Sequence, residues 1–153
     1  MQKITPFLWY DNQAEEAAKF YIETFSARGG DGKIIHVTKG PDGKTFWLSF
    51  ELFGIQYYAL NGGPMFPFTE AFSMFVSCEN QEEVDFYWNK FLENGGKESQ
   101  CGWLKDKFGL SWQIIPKALH ELLGKNKTGK VMAAMMQMKK IIVADLEKAH
   151  KGE

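Results

Sequence analysis

Two cysteines, Cys78 and Cys101, are too few in 153 residues for a disulfide framework and stand in no CxxC pair. Both read as reduced thiols and small hydrophobes, since no histidine stands near either in sequence. Charge of one sign is also missing. Eighteen basic side chains face 19 acidic ones, for a net charge of -1 without a single-sign block, so the field that drives nucleic-acid binding is absent. No run approaches the roughly 18–20 apolar residues of a membrane span, and residues 1–6 carry no apolar signal-peptide core. The expectation is a cytoplasmic protein with no membrane or nucleic-acid partner.

Catalytic signatures are equally scarce. His36, His120 and His150 are scattered, and His120-Glu121 lacks the second histidine of a zinc-binding HExxH. Gly43-Lys44-Thr45 imitates the end of a phosphate loop, but Thr38 stands where its first glycine belongs and Pro41-Asp42-Gly43 is a hairpin turn. No GxGxxG opens a βαβ unit, which leaves no dinucleotide or methyl-donor fold.

Rings are plentiful: 13 Phe, 5 Trp and 5 Tyr make the chain 15% aromatic. Hydrophobic residues make up 44% and charged residues 24%, values of an ordinary globular domain with a sizeable core.

Along the chain, Pro6 to Tyr10 reads as a strand. Ala14, Ala17, Ala18, Tyr21, Ile22 and Phe25 follow at helical spacing behind a capping signal from Asn12 and Glu15, and Gly29-Gly30 ends the helix. Strands are expected over 33–39 and 45–53, around the turn at Gly40-Pro41-Asp42-Gly43, and again through Tyr57, Tyr58 and Leu60. The plan then repeats. Phe72 to Cys78 reads as a strand, Asn80-Gln81-Glu82-Glu83 caps a helix with Val84, Tyr87, Trp88 and Phe91, and Gly95-Gly96 breaks it. Asn12 and Asn80 lie 68 residues apart, and Gly29 and Gly95 lie 66 apart. Strands around Cys101 to Leu104 and Leu110 to Ile115 complete a second unit, so each half reads βαβββ.

The expected fold class is therefore α+β: two βαβββ modules, about residues 3–63 and 70–116, and a helical tail at about 117–150, in one domain. In the tail Leu119, Leu122, Leu123, Val131, Met135, Met138, Ile142, Leu146 and Ala149 form a Met-rich stripe, read as core or subunit interface.

Period-two alternation separates strand faces. Phe72, Met74 and Val76 oppose Ser73, Phe75 and Ser77, while Leu110, Trp112 and Ile114 oppose Ser111, Gln113 and Ile115. The face with small polar groups beside a ring is the candidate pocket. In the first module Trp47, Ser49, Glu51 and Phe53 oppose Phe46, Leu48, Phe50 and Leu52. Glu51 is thus the carboxylate to consider as a general base, against the plainer reading of a solvated edge-strand glutamate.

Ala59 to Pro64, Gln81 to Asp85, Cys101-Gly102-Trp103-Leu104-Lys105-Asp106, Gly109-Leu110-Ser111-Trp112-Gln113 and Met132 to Lys140 resemble the PhnB-like family, also labelled 3-demethylubiquinone-9 3-methyltransferase-like. It belongs to the vicinal oxygen chelate, or glyoxalase and bleomycin-resistance, superfamily. The resemblance implies a homodimer whose modules curl their sheets into cups. Metal-dependent members carry ligands on the first and last strands of each module. The matching positions here are Ile4, Thr5, Pro6 and Tyr58, and Phe72, Ser73 and Gln113, of which Gln113 alone could coordinate. Met65 stands where many relatives carry histidine after Gly-Gly-Pro.

The expectation is a protein that binds a small aromatic or hydrophobic molecule without a catalytic metal or other cofactor. Tyr58, Phe75 and Trp103 would give apolar contact, and Ser73, Ser111 and Gln113 would give hydrogen bonds. One alternative is a metal-dependent lyase, isomerase or dioxygenase with a divalent ion beside Gln113, completed by Glu51 or water. Another is an interaction module whose cup its own side chains fill. Methyl transfer is disfavoured, because no segment resembles a donor site.

Overall fold

In a computed structural model describing residues 2–152, the chain forms two compact units, Met1–Phe68 and Thr69–Glu153. The first carries β1 (Phe7–Tyr10), α1 (Ala14–Ser26), β2 (Gly32–Lys39), β3 (Thr45–Leu52) and β4 (Ile55–Asn61). The second carries β5 (Ser73–Cys78), α2 (Gln81–Leu92), β6 (Lys97–Glu98), β7 (Trp103–Lys105) and β8 (Ser111–Pro116), then α3 (Lys117–Lys125), α4 (Lys130–Met136) and α5 (Val143–Lys151).

The sheet orders are β1-β4-β3-β2 and β5-β8-β7-β6, and in each the first strand runs parallel to the last while the other neighbours are antiparallel. The sequence repeat is thus one topology used twice.

Each helix packs on one face of its own sheet. In the first unit Ala14, Ala17, Ala18, Tyr21 and Phe25 bury the α1 stripe, and Leu8, Tyr10, Leu48, Phe50, Leu52, Tyr57 and Ala59 are the buried apolar strand residues. The buried hydroxyls of Tyr10 and Tyr21 meet at 3.0 Å. In the second unit Val84, Tyr87, Trp88 and Phe91 of α2 are buried with Leu104, Leu110, Trp112 and Ile114. Phe91 and Trp112 stack with centroids 4.2 Å apart, and burying each such side chain stabilises by roughly 1.5–3 kcal/mol. Ten of the 23 Phe, Trp and Tyr side chains are buried in these two layers, and the others are half-buried or exposed.

The doubled glycines end both helices for the same steric reason. Gly29 and Gly95 adopt positive φ (79° and 116°), and a Cβ at the following Gly30 or Gly96 would lie 2.7 or 2.5 Å from the backbone of its own helix's last turn.

The helix starts differ. Asn80 caps α2 as expected, its Oδ1 accepting from the Glu83 N–H at 3.0 Å. Asn12 does not cap α1: the Ala14 N–H donates instead to Asn61 Oδ1 at 2.8 Å, while Asn61 Nδ2 donates to the Thr45 carbonyl at 3.0 Å. The end of β4 thereby ties the start of α1 to β3.

The tail is three helices around Ile115, Leu119, Val131, Ile141 and Leu146, with Leu122, Leu123, Met135, Met138 and Ala149 packed against them. The stripe methionines Met135 and Met138 thus pack on a core, while Met132 and Met136, off the stripe, are exposed. The expected stripe residue Ile142 gives way to Ile141. Residues 138–142 leave the helix because the Cys101 and Gly102 N–H groups donate to the Met138 and Lys139 carbonyls at 2.8 and 2.7 Å. Gln81 fastens the same segment, donating to the Ile141 carbonyl at 2.9 Å and accepting from the Val143 N–H, the first of α5, at 2.7 Å.

Candidate functional site

With α2 on one face of the second sheet, the residues of opposite parity form the other. Strand register sets them in two rows. Ser73, Ser111, Lys105 and Lys97 lie side by side across β5, β8, β7 and β6, and Phe75, Gln113 and Trp103 form the next row. Five of the six expected ligand contacts, Ser73, Phe75, Trp103, Ser111 and Gln113, therefore share one face. Gln113 Nε2 donates to Ser73 Oγ at 3.0 Å, which orients the amide and leaves its carbonyl oxygen available. Phe75 is exposed, and the ring of His120, on α3, lies 5.9 Å from it.

Beside these rows a cavity of about 230 Å³ is lined by Trp103, Lys105 and Ser111 together with Glu70, Lys97, Glu98 and others. Ser111 is only 1% exposed, yet its hydroxyl has no hydrogen-bond partner. Buried polar groups are nearly always satisfied, so this orphan marks the cavity as a place where a polar atom is wanted. Lys105 is ion-paired with Glu70, and its ammonium holds the Glu70 carboxyl below its ordinary range. Glu98 is turned the other way, accepting from Trp88 Nε1 at 3.1 Å. Lys97, Lys105 and Glu70 escaped the sequence reading because charged residues there pass as solvent-facing. Lys105 was nonetheless legible, standing two residues after Trp103 on the same strand face.

The sixth contact, Tyr58, sits on the open face of the first sheet. It meets Phe7 and Trp47 edge-on at 6.0 and 5.3 Å, and these rings with Phe46 and Leu60 line an apolar concavity of about 440 Å³. Glu51 belongs to this face too. It is on an interior strand rather than an edge, in register with Lys33 and Gln56, and its Oε2 lies 3.9 Å from Lys33 Nζ. A larger groove, about 840 Å³, runs between the start of α1 and the β2–β3 turn, and paired or solvated charges such as Glu15, Asp42 and Lys44 line it.

A divalent ion fits these donors poorly. Among the described residues no three His, Cys, Asp or Glu side chains converge. At the positions where chelating relatives carry ligands, Gln113 offers one neutral carbonyl and Ser73 a hydroxyl already engaged with it. No helix among the described residues is long and apolar enough to cross a membrane.

The sequence profile of the 3-demethylubiquinone-9 3-methyltransferase family matches residues 2–115, leaving α3 to α5 outside it. A PhnB protein from Bacillus cereus is 30% identical, with a TM-score of 0.67 over 75% of this chain and 99% of its own. A Pseudomonas aeruginosa protein has the same fold at 16% identity, with a TM-score of 0.59 over 76% of this chain and 98% of its own. So does the fosfomycin resistance protein FosX of Listeria monocytogenes, crystallised with Mn(II) and sulfate, at 14% identity and a TM-score of 0.53 over 73% and 90%. No curated protein sequence matches the chain. With its two βαβββ modules, each on its own mixed sheet in the glyoxalase/bleomycin-resistance fold, the chain belongs to the PhnB-like, 3-demethylubiquinone-9 3-methyltransferase family.

Proposed function

We propose that this protein binds a small aromatic or hydrophobic organic molecule on the open face of its second sheet, without a catalytic metal. The observation that carries the reading is the buried, unpartnered hydroxyl of Ser111 in a cavity walled by Trp103. A polar atom of the ligand takes that hydroxyl, Gln113 offers a second hydrogen bond, and Trp103 and Phe75 give flat apolar contact. Tyr58, with Phe7 and Trp47, offers a comparable aromatic surface in the first unit. The family's label names a methyl transfer, but the chain has no glycine-rich phosphate or methyl-donor motif. The reading therefore assigns binding rather than a bond-breaking step. A cytoplasmic homodimer is part of the same proposal and rests on the family resemblance.

The test is a thermal-shift survey of aromatic metabolites with and without EDTA, alongside metal analysis of the purified protein. Ligands that stabilise equally in both conditions support the reading. Stoichiometric Fe, Mn, Ni or Zn that disappears in Gln113→Ala overturns it in favour of a metal-dependent enzyme, the direction in which the Mn(II)-bound fosfomycin resistance relative points. A cup packed solid by its own side chains in a crystal structure would make the fold an interaction module.

A further inference from the structure

Two features of the Ser111 cavity are unexplained by apolar contact alone. The row Ser73, Ser111, Lys105, Lys97 puts two lysines in the wall of the cavity that holds the orphan hydroxyl, Lys105 as the cross-strand neighbour of Ser111 and Lys97 one strand further. Paired residues on neighbouring antiparallel strands hold their Cβ atoms roughly 4.5–5.5 Å apart, so one carboxylate can reach both side chains. The cavity itself, about 230 Å³, is below the roughly 300–1,000 Å³ of sites for drug-sized ligands and suits a single ring.

The second feature is Glu70. It stands on the loop before β5, its side chain 61% exposed, and it places a carboxylate on Lys105 at the mouth of the cavity. An exposed pair of this kind adds little stability, about 0–1 kcal/mol. Lys97, in the same row, has no ion-pair partner among the described residues.

We infer that the ligand is a small aromatic acid whose carboxylate accepts a hydrogen bond from the Ser111 hydroxyl and pairs with the Lys105 ammonium, displacing Glu70, which occupies that cation when the site is free. The inference rests on the binding reading above and narrows it to a ligand class. Charge-assisted bonds are stronger than neutral ones, so the carboxylate is the group that selects the ligand. The ring then lies toward Trp103, in the next row of the same face. Glu70 acts as an internal competitor, which weakens binding of any anion.

The probes are benzoate and its neutral isostere benzamide, titrated calorimetrically at low salt into wild type, Glu70→Gln, Lys105→Met, Ser111→Ala and Trp103→Ala. Wild type is expected to bind benzoate about tenfold more tightly than benzamide. Glu70→Gln should tighten benzoate about threefold or more and leave benzamide unchanged, a gain that misfolding cannot imitate. Lys105→Met should abolish the preference, and Ser111→Ala should weaken benzoate. Equal affinity for the two probes, in wild type and in Glu70→Gln, overturns the anion seat while leaving the aromatic cup intact. Failure of both probes to bind, or binding indifferent to Trp103→Ala, overturns the cup reading and this inference together. An unchanged Ser111→Ala affinity, with an ordered water on the wild-type hydroxyl in a ligand-bound crystal, overturns the role given to Ser111.

Discussion

The side-chain amide of Gln113 donates to Ser73 Oγ at 3.0 Å, diagonally across the parallel pair β5–β8. This bond holds the amide on the open face with its carbonyl oxygen free to accept from a ligand. Replacing Gln113 by Ala should weaken binding of an aromatic ligand by about three- to tenfold, the worth of one net hydrogen bond. The melting temperature should move little, because Gln113 is only half-buried. Calorimetric titration together with a melting curve separates the two effects.

Asp106 is a stability determinant behind the site. It is 3% exposed, and its carboxylate accepts from the Phe108 and Leu110 N–H groups at 2.9 and 3.1 Å and from Trp112 Nε1 at 2.9 Å. Asp106→Ala orphans three donors, two of them buried. It should cost about 3 kcal/mol, or about 10 °C of melting temperature for a chain of this size. Differential scanning calorimetry reads the shift.

The long-range cap of α1 gives a paired prediction. Asn61→Ala removes the acceptor for the Ala14 N–H and the donor to the Thr45 carbonyl, at a cost of about 1–2 kcal/mol in urea unfolding. Asn12→Ala should be within about 0.5 kcal/mol of wild type. The reverse ranking would return the cap to Asn12.

Burial, with Glu83 adding its charge, pushes the Cys78 thiol up from an ordinary 9.0 to about 12. The folded chain keeps this proton when the unfolded chain has released it. The contribution to stability is therefore complete below about pH 9 and is lost as pH rises toward 12. Burial raises the Tyr57 hydroxyl from 10.0 as well, with the same sign in a higher window. Urea midpoints measured from about pH 8 to about pH 10 should fall more steeply for wild type than for Cys78→Ala. Parallel slopes would contradict the assignment.

Much of this architecture is legible in the residues, where local rules suffice. The matched pairs Asn12 and Asn80, and Gly29 and Gly95, announce the repeat, and period-two alternation sets Ser73, Phe75, Ser111 and Gln113 on one face because register in a half-buried sheet is strict. What fails locally is settled by distant partners. Asn12 has the right spacing for a cap, but Asn61, 47 residues beyond the Ala14 N–H it accepts from, takes its place. The two-residue β6 is too short to show alternation. The tail stripe slips from Ile142 to Ile141 because the Cys101–Gly102 turn draws residues 138 and 139 into backbone pairing. At the site, the rings and small polar groups follow from pattern. The lone hydroxyl of Ser111 and the Glu70–Lys105 pair depend on packing and become visible only in three dimensions.

The most direct test of the central claim is a two-dimensional amide NMR titration with benzoate in the presence of EDTA. Ser73, Phe75, Trp103, Ser111 and Gln113 should show the largest shifts, unchanged by the chelator. Shifts confined to other surfaces, or shifts that vanish when EDTA is added, would contradict that claim.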